Sequence, residues 1–136
     1  MSSYPIADIE GIGKTYAKKL KAAGIHSTGT LLERAKSPKG RKQVAADTGI
    51  DETHVLKWAN MADLMRIRGV AEEYSELLEA AGVDTVKELK RRNVANLVEK
   101  MKEVNEKKKL VRLLPSEKSV TKWVAQAKEL KAMMTY

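Results

Sequence analysis

The chain has 136 residues and carries 26 Lys plus Arg against 18 Asp plus Glu, a formal net charge of +8. That length suits one domain, or two small ones, with a real core, and the basic balance favours a polyanionic partner. The absence of cysteine excludes a disulfide framework and a thiolate metal site. No apolar stretch approaches membrane-spanning length. The start, Met1-Ser2-Ser3-Tyr4-Pro5, lacks a charged region followed by an apolar run. The expectation is a soluble, cytoplasmic protein without a membrane partner. Six aromatics (Tyr4, Tyr16, Trp58, Tyr74, Trp123 and Tyr136) are too scattered to form a base-stacking platform.

Taken in order, the sequence predicts helix throughout. Ala, Leu, Glu, Lys and Met dominate, and no run alternates with a period of two. A short helix or turn is expected over roughly Pro5 to Glu10. Gly11-Ile12-Gly13 then makes a turn, and a helix runs from about Lys14 to Ala23, stopped by Gly24. Ser27 caps the next helix, whose apolar face includes Leu31 and Leu32. Ser37-Pro38 opens a third, which ends at Gly49. Asp51 caps a longer helix to about Leu64, with Val55, Trp58, Ala59 and Ala62 on one side.

The pattern then recurs. Ile67-Arg68-Gly69-Val70-Ala71 takes the place of the opening turn, 58 residues further on. Tyr74, Leu78, Ala80-Ala81-Gly82 and Leu89 match Tyr16, Leu20, Ala22-Ala23-Gly24 and Leu31. Asp84-Thr85 is expected to cap one helix, and Asn93 another to about Glu106. Val120-Thr121-Lys122-Trp123 matches Val55-Leu56-Lys57-Trp58 with about seven extra residues near Leu110 to Ser116, and Pro115-Ser116 restarts the last helix. The expected architecture is all-α: two tandem helical repeats, residues 4–64 and 65–132, packed into one compact body. The join at Ala62 to Ile67 contains no Gly, Pro or Ser, which argues against a flexible linker.

Ile9 to Leu20 resembles a helix-hairpin-helix element, apolar-x-Gly-apolar-Gly-x-x-x-Ala-x-x-Leu, through Ile9, Gly11, Ile12, Gly13, Ala17 and Leu20. The extension through Ala22-Ala23-Gly24-Ile25 to Thr48-Gly49-Ile50-Asp51 resembles the N-terminal domains of recombinases. The whole chain, including Asp63-Leu64-Met65-Arg66-Ile67 and the run Glu103 to Val111, resembles the bacterial domain-of-unknown-function 4332 family. The resemblance implies a tandem helix-hairpin-helix fold and supplies no activity. In the wider class, hairpin N–H groups and the following helix N-terminus hold DNA phosphates without reading bases. By matching position this points to Gly11, Ile12, Gly13, Lys14 and Thr15. Members of that class also bind a monovalent cation through hairpin carbonyls, which is the one cofactor the resemblance leaves open.

The residues themselves agree with a phosphate site. With Lys14 as origin on a helical wheel, Lys18 falls at about 40° and Lys21 at about 340°. The three lysines form one stripe leading away from the hairpin, opposite Tyr16, Leu20 and Ala23. The plainer alternative is a solvated lysine face on a hairpin that merely packs helices. In the second hairpin, Gly13 becomes Ala71, and Lys14, Lys18 and Lys21 become Glu72, Glu76 and Glu79. Its Gly69, Val70 and Ala71 are therefore read as structural, with Arg66 and Arg68 the only nearby groups that favour phosphate. The reversed sign also opens an alternative function, a protein–protein adaptor or self-associating scaffold that pairs the basic stripe with the acidic one.

Remaining groups add little. Lys36, Lys39, Arg41 and Lys42 surround the third helix start, and Lys90-Arg91-Arg92 ends a helix. Lys107-Lys108-Lys109 with Arg112 is the densest basic run, interleaved with Glu99, Glu103 and Glu106, so it reads equally as a phosphate grip or a solvated face. Trp58, Trp123, Tyr16 and Tyr74 read as core residues, and the methionines as gap-fillers. His26 and His54 lack metal-ligand spacing, and Gly13-Lys14-Thr15 lacks the earlier glycine of a phosphate loop, since position 8 is Asp8. No metal and no enzyme activity are expected. The functional expectation is sequence-independent binding of nucleic acid, duplex DNA first.

Overall fold

The computed structural model describes residues 3–9 and 11–136; Met1, Ser2 and Glu10, the last of which ends the expected first turn, lie outside the described residues. Local chemistry sets most helix ends. After a 3-10 turn at Ile6–Asp8 come α1 (Gly13–Ala22), α2 (Thr28–Ala35), α3 (Pro38–Thr48) and α4 (Glu52–Leu64). Then follow α5 (Glu72–Ala80), α6 (Val86–Leu89), α7 (Val94–Lys108) and α8 (Glu117–Glu129). No strand occurs among the described residues; one isolated bridge joins Pro5 to Ser27. The fold is all-α.

Side-chain caps sit at Ser27, Ser37, Asp51, Asn93 and Ser116, each accepting from a backbone N–H two or three residues on. Gly49 ends α3 in the left-handed region. One expected cap is replaced. Thr85 stands at the N-cap of α6 but makes no side-chain cap bond. The Val86 N–H donates instead to Asp63 Oδ2 at 2.9 Å, so a carboxylate from α4 caps α6. The aspartate, brought in by tertiary packing, takes the first N–H of the helix, which an N-cap side chain does not reach.

Two hydrophobic clusters form the interior. One gathers Ile6, Ile9, Ile12, Leu20, Ile25, Leu31, Val55 and Trp58 with their neighbours to Met65. The other gathers Ile67, Val70, Leu77, Leu78, Val83, Leu89, Leu97, Met101, Val120 and Trp123. Met134 belongs to the first cluster, although it follows α8. The segment after α8 therefore crosses back over the earlier helices. Thr135 N–H donates to Lys36 O at 2.8 Å, Arg41 Nη2 to Thr135 O at 2.8 Å, and Tyr136 OH to Asn60 Oδ1 at 2.8 Å.

At the join between α4 and the following turn, Asp63 and Arg66 form a buried ion pair, 2.6 Å from Nη2 to Oδ1. Arg66 Nη1 also donates to Lys131 O at 3.0 Å. Backbone hydrogen bonds around the two glycine turns recur with the 58-residue spacing. Ile9 N–H to Ile6 O and Ile12 N–H to Ile9 O correspond to Ile67 N–H to Leu64 O and Val70 N–H to Ile67 O. After the helices, Ile25 N–H to Leu20 O corresponds to Val83 N–H to Leu78 O.

Candidate nucleic-acid interface

Ile9 and Ile12 are buried at 1% and 2% exposure and pin the first turn to the core. Between and after them, Gly11 and Gly13 take φ of 87° and 66°. Among the described residues, nothing lies within 4 Å of a Cβ built on either glycine, so there the backbone dihedral and not crowding selects glycine. Of the candidate residues, Gly11, Gly13, Lys14, Thr15, Lys18 and Lys21 are exposed. Ile12 is buried, so it offers only backbone to a partner.

Among the described residues, the start of α1 differs from the other helix starts. Its N-cap is Ile12, which has no side-chain acceptor, and its first turn holds no acidic residue. Every other helix start has compensation: a capping side chain for α2, α3, α4, α7 and α8, Glu72 and Glu73 for α5, and the Asp63 carboxylate for α6. Among the described residues, α1 alone has neither a capping side chain nor an acidic residue at its start, and it adds Lys14 there.

Beside this end lies an open concavity of about 410 Å³ lined by Ala7, Gly13, Lys14, Ala17, Lys18 and Lys21. Its small residues are Ala7, Gly13 and Ala17, and its cations are the three lysines of the stripe. Lys14, Lys18 and Lys21 take no part in the salt bridges Arg34–Asp47, Lys36–Glu33, Lys57–Glu79 and Arg66–Asp63.

The second turn differs in backbone and in surroundings. Gly69 has φ of 92°, but Ala71, at the place of Gly13, is extended with φ of −99° and ψ of −162°. The Gln126 side chain of α8 grips the turn twice. Its Oε1 accepts from Arg68 N–H at 3.0 Å and its Nε2 donates to Arg68 O at 3.3 Å. Trp123 Nε1 lies 2.9 Å from where a Cβ on Gly69 would stand. Helix α8 thus fills the space that remains open at Gly11. Arg66, expected as a local cation, is instead buried in the ion pair with Asp63, because a guanidinium this enclosed needs its carboxylate. The Arg68 side chain stays exposed.

Glu72, Glu76 and Glu79 are half-buried. Glu79 Oε1 lies 3.9 Å from Lys57 Nζ, while its Oε2 is buried without a hydrogen-bond partner. Burial pushes the Glu79 carboxyl above its ordinary value, partly opposed by Lys57. Tyr136 is largely exposed, but local desolvation of its hydroxyl, with the charges of Asp63, Glu88 and Asp84, raises it to about 12.

The other basic groups separate in the same way. Arg41 leaves the surface cluster expected at α3 and is buried, donating to Ala35 O at 3.0 Å and to Thr135 O. Its partner lies 94 positions away, so no local signal announced it. The role of Asp63, although it stands in the stretch Asp63 to Ile67, and that of Gln126 were also silent in the sequence, since their partners lie far along the chain. His54 stacks with Tyr16 and Trp58, its ring centroid 5.6 and 5.5 Å from theirs. Among the described residues, no three His, Asp or Glu side chains converge as a metal ion would require. No helix of the described residues is long and apolar enough to cross a membrane.

Comparison with known proteins gives one match, to the family described as Domain of unknown function (DUF4332), over residues 10–130. No curated protein and no solved structure matches the chain. The family match spans both glycine turns and all the helices, and the chain belongs to the DUF4332 family.

Proposed function

We propose that this chain is a tandem helix-hairpin-helix protein that binds duplex DNA without sequence preference. The contacts are backbone phosphates held at the first hairpin and along Lys14, Lys18 and Lys21. The observation that carries this reading is the start of α1, with no capping side chain or first-turn acid among the described residues, beside an open, lysine-lined concavity. An anion placed there meets helix N-terminal N–H groups, a favourable helix dipole and ammonium groups together. Gly11 and Gly13 let a phosphate approach the backbone closely. No base-reading element stands beside the hairpin, so affinity comes from charge and shape.

The second hairpin is a structural copy in this reading. Gln126 and Trp123 occupy its outer side, and Glu72 and Glu73 already answer its helix dipole. The alternative, in which basic and acidic stripes pair between molecules, fits less well, because Glu79 is half-buried against Lys57 of its own chain.

Fluorescence anisotropy with labelled duplexes of unrelated sequence tests the proposal. Micromolar protein at low salt is expected to bind them equally. Lys14→Glu with Lys18→Glu abolishes binding, and Arg68→Glu beside the second hairpin leaves it nearly unchanged. Absence of binding at low salt rejects the reading.

A further inference from the structure

Two large apolar side chains are exposed among the described residues, Leu113 at 75% and Tyr136 at 68%. Tyr136 is accounted for, since its hydroxyl reaches Asn60 and its ring lies 5.5 Å from the Arg41 guanidinium. Leu113 has no such role. It stands in the connection between α7 and α8, where the second half of the chain has its extra residues.

This connection is braced. The Asn105 side chain clamps Val111 from both sides, accepting from its N–H at 3.0 Å and donating to its carbonyl at 3.1 Å. Tyr74 OH donates to Leu113 O at 3.0 Å. Val111 and Pro115 are buried, while Leu110 and Leu114 pack on the second cluster. Four apolar neighbours therefore point inward and hold Leu113 outward on a fixed backbone. Around it Lys107, Lys108, Lys109 and Arg112 are exposed, against Glu106 on the same helix end. Lys109 closes α7 in the left-handed region at φ 50°, where glycine would be easier.

We infer that Leu113 on this braced basic loop is a wedge that enters the minor groove of duplex DNA, while Lys109 and Arg112 hold the flanking phosphates. Groove-bending proteins insert one apolar side chain at a base step and neutralise the phosphates on either side. A rigid mount is what such insertion requires. A membrane surface would want a broad apolar face, and here a single leucine projects. The inference rests on the duplex reading above and adds a second contact, with bending as its own signature.

The test is end-to-end energy transfer in a doubly labelled duplex of about 30 base pairs, read beside anisotropy and thermal melting. The native chain is expected to raise transfer on binding. Leu113→Ala melts like the native chain, binds several-fold more weakly and loses the transfer change. Lys109→Gly melts higher, because the left-handed cap is relieved, yet also binds more weakly. If the native chain binds and Leu113→Ala matches it in both affinity and transfer, the wedge is overturned while the hairpin reading stands. If no duplex binds, both fall. Leu113-dependent binding to phosphatidylserine vesicles without duplex bending also overturns the wedge and names a lipid surface instead.

Discussion

The lysine stripe makes a quantitative prediction about salt. If Lys14, Lys18 and Lys21 each neutralise one phosphate, log affinity should fall with log salt at a slope of about −2.7, from −0.9 per phosphate. Between 50 and 200 mM salt that corresponds to a loss of about 40-fold. Replacing Lys14 and Lys18 with Gln leaves one contact, a slope of about −0.9 and a loss of only about 3.5-fold. Any additional contact made elsewhere shifts both slopes together, so their difference, about 1.8, isolates the two substituted residues. Both lysines are exposed, and removing Lys14 relieves a cation at a helix N-terminus, so the variant should be no less stable than its parent. Anisotropy titrations at four or five salt concentrations, with a thermal melt of each protein, measure both quantities. Parallel slopes for the two proteins would refute the phosphate contacts, whatever the absolute affinity.

Three further outcomes concern the framework. Asp63→Ala strands the buried Arg66 guanidinium and uncaps α6, and should cost about 3–5 kcal/mol in chemical denaturation. Gly11→Ala faces only the dihedral penalty, about 1–2 kcal/mol, whereas Gly69→Ala adds a collision with the Trp123 ring and should cost about 1–3 kcal/mol more. Glu79→Gln should raise the melting temperature near neutral pH. The folded carboxyl ionises above its usual 4.5, so the native side chain's contribution is most favourable below that value and is lost as pH rises through the raised folded value. The advantage of Gln should therefore shrink as pH is lowered towards 4.5 and below.

How much was legible follows from the range of the forces involved. Ser27, Ser37, Asp51, Asn93 and Ser116 act on N–H groups two or three residues away, so sequence alone located their helices. The turns at Gly11 and Gly69 were legible because positive φ selects glycine. Arg41 and Arg66 were misplaced on the surface. Burial of a guanidinium depends on acceptors such as Thr135 O and Lys131 O, which only the folded chain supplies. The side-chain acceptor at the start of α6 is Asp63 and not Thr85, for the same reason. At the candidate interface, the lysine stripe was visible from helical periodicity. The contrast between an open and a filled turn was not, since it depends on Gln126 and Trp123 arriving from α8.

The segment after α8 has a consequence for synthesis. Met134 fills part of a cluster otherwise built from Ile6 to Met65, and Thr135 bonds to Lys36. A nascent chain that has emerged only as far as α4 still lacks that side chain and the acceptor for Arg41 Nη2. The earliest helices must wait with an unfinished interior until residues from the far end of the sequence arrive. A nick or frameshift after α8 would therefore be felt at Lys36 and Arg41, more than ninety positions upstream.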